Sequence, residues 1–216
     1  MSHREIAVKI PIGKIILEGD LTVPSGATGI VLFAHGSGSS RLSPRNQYVA
    51  KEFNAAKIGT LLFDLLTSKE EERDMYTAEY RFNIGLLAER LVGATELLKK
   101  NQQAKGFALG YFGASTGAAA ALIAASKLPR DIKAVVSRGG RPDLAMDYLP
   151  KVAAPTLLLV GGLDTDVIEL NMKAMTKMTA EKKLVIIPGA THLFEEPGKL
   201  EEVAKASKDW FLRYLK

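Results

Sequence analysis

Six short stretches of the chain are apolar at nearly every position: Gly29 to Ala34 (GIVLFA), Thr60 to Phe63, Phe107 to Phe112, Ala134 to Ser137, Thr156 to Val160 and Lys183 to Ile187. A strand that is apolar on both faces is one covered by helices on both sides, so these runs predict a buried parallel sheet. Ahead of them, KIPIGKIILEGDLTVP sets Gly13 between two alternating runs and stops at Pro24, the pattern of an antiparallel hairpin. Between the apolar runs the period changes to that of a helix. Ile84, Leu87, Ala88, Leu91 and Leu98 form one stripe, and Leu200, Val203, Ala204, Trp210 and Tyr214 form another. Strands alternating with helices predict a three-layer, doubly wound, mostly parallel α/β sheet of about eight strands with an antiparallel start. In sheets of this kind ligands bind at the carboxyl ends of the strands.

Two connections bear on access to such a site. Arg138 to Pro155 is too short to hold a folded cap domain. Ser68 to Phe82, with its charged start SKEEERDMY, reads as a loop with a following turn that edges an open site. A third stretch, Gly106 to Ser126, is uncharged and about long enough to cross a bilayer. It divides into an aromatic strand and an alanine-rich helix with Gly, Ser and Thr at its centre, and so reads as buried core.

Composition adds little that conflicts. The 216 residues are 47% hydrophobic and 25% charged, without repeats or linker-like segments, as expected for one α/β domain spanning 1–216. The net charge of +5 comes largely from lysines such as Lys99, Lys100, Lys199 and Lys216, scattered along helical segments. No dense basic stripe argues for nucleic acid or a membrane as partner. Met1 to Ile10 lacks a continuous apolar run, so a cytoplasmic location is the expectation. The absence of cysteine excludes disulfides, thiolate metal sites and a cysteine nucleophile.

The chemistry concentrates after the strands. Phe107 to Phe112 leads into Gly113-Ala114-Ser115-Thr116-Gly117 and at once into an alanine-rich helix, Ala118 to Ser126. A sharp strand-to-helix turn lifts a serine hydroxyl clear of the sheet, and small flanking residues let strand and helix come close. A serine hydroxyl needs a base, and only three histidines exist. His3 lies in the N-terminal tail and His35 in a Gly/Ser loop that it braces, whereas His192 follows a late strand in PGATHLF and is the candidate base. The orienting acid should end the preceding strand. Asp164 and Asp166 compete in GGLDTDV, and Asp164 is favoured because Asp166 reads as a first-turn helix residue. Two amides must hold an oxyanion: Thr116, which follows the serine, and Ser37, in the loop HGSGSS. That loop lacks the spacing and lysine of nucleotide fingerprints. Arg138, just after a strand, is a candidate for binding an acidic substrate group, or for an ion pair holding its loop.

FAHGSGSS, GYFGASTGA, APTLLLVGGLDTDV and PGATHLF together resemble the α/β-hydrolase superfamily over essentially the whole chain, and within it the dienelactone-hydrolase-like branch. The namesake enzymes use a cysteine nucleophile where this chain has Ser115, which favours ordinary ester hydrolysis over lactone cleavage. The reading is therefore a serine hydrolase for a small-molecule ester, monomer or homodimer, with no metal and no organic cofactor. An acyltransferase or perhydrolase would use the same acyl-enzyme, and a non-catalytic binding protein could retain the fold.

Overall fold

A computed structural model describes residues 5–216, so His3 and the start of the N-terminal segment lie outside the described residues. The hairpin opens the chain: β1 (Glu5–Ile12) pairs antiparallel with β2 (Ile15–Thr22) across a turn in which Gly13 takes φ +60°, a left-handed value that glycine accepts without strain. Then come β3 (Gly29–Ala34), β4 (Gly59–Phe63), β5 (Ala108–Ala114), β6 (Ile132–Arg138), β7 (Thr156–Gly161) and β8 (Lys182–Ile187). They form one eight-stranded sheet in the order β1-β2-β4-β3-β5-β6-β7-β8, parallel from β4 to β8, with β2 antiparallel to both neighbours. Every residue of β3, β4 and β7 is buried, as the continuous apolar runs require.

Helices cover both faces. On one side α1 (Pro44–Ala55) and α6 (Lys199–Tyr214) close over Phe33, Phe53, Phe112 and Phe211, whose rings lie with centroids 4.8 to 5.9 Å apart. Tilted and edge-on contacts at these distances suit the ring quadrupoles. The other face carries α3 (Ile84–Lys100), α4 (Thr116–Lys127) and α5 (Thr165–Met175). The central α4 is buried all round, from Thr116 to Ala125. That explains its membrane-like hydropathy: a helix enclosed by sheet and neighbours has no polar face to keep. Among the described residues no helix is long and apolar enough to cross a membrane.

The remaining helix corrects the sequence reading. Ser68 to Thr77 forms a regular helix, α2, rather than a loop with a turn. Its N-terminus is a capping box: Thr67 Oγ1 accepts the Glu70 N–H while the Glu70 carboxylate accepts the Thr67 N–H. Glu70 also pairs with Arg90 of α3 at 2.7 Å. At the other end Ala78 adopts a left-handed φ of +54°, and buried Asp74 accepts the Tyr80 and Arg81 amides and the Arg81 guanidinium. Its mostly exposed, charged face hid the helical period, and its stability comes from the two ends. Between β6 and β7 the chain makes only two single 3-10 turns, Pro142–Ala145 and Leu149–Lys151, so no separate cap stands over the sheet.

Candidate active site

Ser115 sits at the junction of β5 and α4 with φ +51° and ψ −121°, a conformation rare for a residue with a side chain. Backbone bonds on both sides hold it there. Its N–H donates to the Arg138 carbonyl and its carbonyl accepts the Arg141 N–H, both at 3.1 Å. The flanking glycines leave room for nothing larger: a Cβ on Gly113 would collide with the backbone of Ala118, and one on Gly117 with the carbonyl oxygens of Ala34 and His35. The small residues of the pentapeptide are therefore demanded by packing as well as by the turn.

His192 lies in the loop between β8 and α6, partly exposed. Its Nδ1 stands 2.6 Å from Asp164 Oδ2, a separation typical of a charge-assisted hydrogen bond. Asp164 occupies the N-cap position of α5, where an aspartate ordinarily caps, yet its side chain makes no capping bond because the carboxylate is turned to His192. Asp166 lies exposed in the first turn of α5. The bridge between the two halves of the site is Gly139, with φ +51°. A Cβ there would lie 3.1 Å from the His192 carbonyl and 3.5 Å from its ring. The segment 138–141 thus touches Ser115 through its backbone and His192 through Gly139.

The loop from His35 to Ser40 lies against the elbow, the β5–α4 turn at Ser115, with Gly36 so close that a Cβ would stand 3.1 Å from Ser115 Cβ. His35 braces this loop: its Nδ1–H donates to the Gly36 carbonyl, and Nε2 accepts the Leu65 N–H, both at 3.0 Å. With one nitrogen an acceptor the ring is neutral, and burial pushes its pKa below the ordinary value near 6.5. Ser37 N–H donates to Thr116 Oγ1 at 3.1 Å, and the two hydroxyls lie 2.9 Å apart. The Thr116 side chain therefore ties the loop to the first turn of α4. Its own N–H, at the first helical position, has no intrahelical acceptor.

Arg138 is placed differently from the rest. Its side chain is buried, its Nε and Nη1 have no hydrogen-bond partner, and among the described residues no carboxylate pairs with it. Burial, with the nearby Arg45 charge, lowers its pKa to about 10. Arg45 itself pairs with Glu195 of the histidine loop at 2.6 Å.

Other contributors left weaker marks in the sequence. Glu196 accepts the Thr191 N–H at 3.1 Å on each carboxylate oxygen and so fixes the residue before His192. Nothing in its neighbourhood of charged loop residues announces that role. The Thr116 hydroxyl and the 138–141 bridge are likewise visible only once the strands are side by side. The capping box Thr67-x-x-Glu70, in contrast, is a readable signature. Among the described residues no group of His, Asp and Glu side chains is arranged to hold a metal ion.

The comparisons with known proteins agree with this architecture. A solved structure of dienelactone hydrolase from Anabaena variabilis superposes with a TM-score of 0.98 at 57% identity, covering 99% of both chains. Est1E from Butyrivibrio proteoclasticus shares the fold at 18% identity, with a TM-score of 0.80 over 96% of this chain and 98% of that one. A Mycobacterium tuberculosis protein, found in two strains and named as a phosphoribosyl transferase, is 53% identical over 212 residues. Those residues are 98% of this chain and 47% of the relative, so the chain spans about half the length of the curated relatives it matches. The model of the dienelactone hydrolase family matches residues 57–216, which include Ser115, Asp164 and His192. With its eight-stranded α/β-hydrolase fold, the chain belongs to the dienelactone hydrolase family of hydrolases.

Proposed function

We propose that the protein is a serine hydrolase that cleaves carboxylic esters through an acyl-enzyme on Ser115. The observation that carries this reading is the 2.6 Å contact between His192 Nδ1 and Asp164 Oδ2, on the same rim of the sheet as a serine held at positive φ. With Nδ1–H committed to the carboxylate, Nε2 carries the free lone pair of the ring and can act as base. It takes the Ser115 proton as Oγ bonds to the acyl carbon; the carbonyl π electrons move onto oxygen. Collapse of that tetrahedral species breaks the bond to the alcohol, which leaves with the proton from Nε2. Water, deprotonated by the same nitrogen, then releases the acid and restores Ser115.

The oxyanion is received by the amides of Thr116 and Ser37. The first is free at the helix start, where the helix dipole favours negative charge. The second donates to Thr116 Oγ1 in the resting site and exchanges that acceptor for the oxyanion. Open-chain esters are the proposed substrates, because serine replaces the cysteine of the namesake lactone-cleaving enzymes. Without a cap over the sheet, small soluble esters reach Ser115 directly.

A fluorophosphonate probe should label the protein at Ser115, and Ser115→Ala should abolish both labelling and turnover of p-nitrophenyl acetate. Ester turnover in that variant equal to wild type would falsify the proposal.

A further inference from the structure

A cavity of about 230 Å³ opens beside the elbow on the side away from His192. Its floor is the loop Gly36 to Ser39, the segment packed against Ser115, and its walls are Leu65, Leu66 and Leu87. The roof is α2, which contributes Glu71, Asp74 and Met75. The last lining residue along the chain is Leu87, at the start of α3, whereas His192 follows β8 at the opposite edge of the sheet.

That asymmetry assigns the cavity to one half of an ester. In the proposed mechanism His192 delivers its proton to the leaving oxygen, so the alcohol must lie on the histidine side. The oxyanion is committed to Ser37 and Thr116. The remaining substituent of the tetrahedral carbon, the acyl chain, points to the β3 and β4 side, where the cavity is. We infer that the slot beneath α2 is the acyl pocket and that it selects neutral, apolar acyl groups longer than acetyl. This inference rests on the ester-hydrolase reading of Ser115.

Three features support the selection. The cavity offers about 230 Å³. That is less than the ~300 Å³ lower bound for a pocket enclosing a whole drug-sized ligand, so it suits part of a substrate. Leu65, Leu66, Met75 and Leu87 supply its apolar lining, and the side chains of Asp64 and Asp74 in the lining are already paired with Arg41 and Arg81. Glu71 has no ion-pair partner among the described residues, so an anionic acyl group would meet an uncompensated carboxylate. The slot is also preformed, since α2 is fastened at one end by Glu70 and Arg90 and at the other by Asp74 and Arg81. An apolar group entering it loses little to reorganisation.

The test is the acyl profile of p-nitrophenyl esters from acetyl to octanoyl, read as ratios of kcat/KM. In the wild type the hexanoyl-to-acetyl ratio should exceed that of Leu66→Phe or Met75→Trp about tenfold, while ratios across a series of alcohols on one acyl group change less than about twofold. Fluorophosphonate labelling confirms that each variant is folded at the site, and the two positions serve as alternatives should one destabilise the protein. Glu71→Gln should raise kcat/KM for a succinyl monoester about fivefold relative to its neutral butyryl counterpart. An unchanged acyl ratio in both filled variants, or a shift in the alcohol series instead, overturns the assignment while leaving the ester reading intact. Binding separates the opposite case. Hexanamide should raise the Tm of the wild type and not of Leu66→Phe; that result without Ser115-dependent turnover would keep the slot and remove the hydrolase reading.

Discussion

Asp164 and His192, 28 positions apart in sequence, meet with 2.6 Å between Oδ2 and Nδ1, and Asp164 forgoes the capping bond its position on α5 would allow in order to do so. A side chain diverted from a stabilising local role marks a position where geometry serves the site. Asp164→Asn should therefore reduce kcat for p-nitrophenyl esters by about 10²- to 10⁴-fold, through loss of the correct imidazole tautomer. Asp166→Asn should change kcat less than about twofold and cost only the ~0.3–1 kcal/mol of an acidic residue at a helix N-terminus. Steady-state rates and urea midpoints of the two variants check the contrast.

The Thr116 hydroxyl holds the loop amide of Ser37 beside the elbow. Thr116→Val keeps the shape and removes the acceptor, so the loop loses its tie to α4. The expected outcome is a fall in kcat of about 10-fold, less than the ~10²–10³-fold cost of deleting an oxyanion donor outright. Thr116→Ser should keep most of the activity; loss in Thr116→Ser with activity retained in Thr116→Val would show that the methyl group, not the hydroxyl, matters.

His35 makes folding stability sensitive to pH below neutrality. Its folded pKa lies below the unfolded value near 6.5, because burial disfavours the charged ring. Above that value neither state binds the proton, and stability is independent of this group. As pH falls below it, the unfolded chain takes up a proton that the folded one refuses, and stability drops by up to ~1.4 kcal/mol per unit. The decline should be visible in the urea midpoint between about pH 6.5 and 5 and should flatten in His35→Asn. Asp74 acts in a separate, lower window. Burial raises its pKa, but the Arg81 and Tyr80 amides and the Arg81 guanidinium outweigh that and hold it below 3.8. Its contribution is present above that ordinary value and disappears as pH falls through the lower folded one.

Arg138 carries a buried charge with no carboxylate opposite it among the described residues. Replacing whole buried ion pairs by apolar side chains of similar volume is often neutral or stabilising in other proteins, by about 1–4 kcal/mol, and a buried charge without a partner has the desolvation cost with no Coulombic return. Arg138→Met should accordingly raise the urea midpoint at pH 7. The folded pKa of about 10 lies below the ordinary guanidinium value, so the wild-type penalty is full below pH 10 and relieved above it. The advantage of the methionine variant should therefore shrink between about pH 10 and 12. A lower midpoint for the variant at pH 7 would mean that the guanidinium has a stabilising role its surroundings do not reveal.

The sheet is legible because its signal is local and redundant. GIVLFA spans β3 from end to end, and most of the other apolar runs fall inside strands that extend a little further. The extensions are at positions such as Lys182, Ile132 and Arg138, where backbone pairing continues after the apolar pattern lapses. Ser68 to Thr77 escapes the pattern for the converse reason. Its helix rests on end contacts with Arg90 and Arg81, made across 20 and 7 residues, and its one buried residue is Asp74 rather than an apolar side chain.

At the candidate site, the order of residues along the chain was enough to single out the turn at Ser115 and the loops that carry Asp164 and His192. Each of those motifs is a contiguous strand-and-loop segment whose small residues have direct steric causes. Which aspartate faces His192, that Thr116 binds Ser37, that Glu196 holds Thr191 and that Arg138 is buried without a partner emerge only from the folded chain. Those relations join residues 5 to 79 positions apart, or depend on what one strand finds beside it. Distances across a sheet are set by the packing of its neighbours, and no local pattern in the chain encodes them.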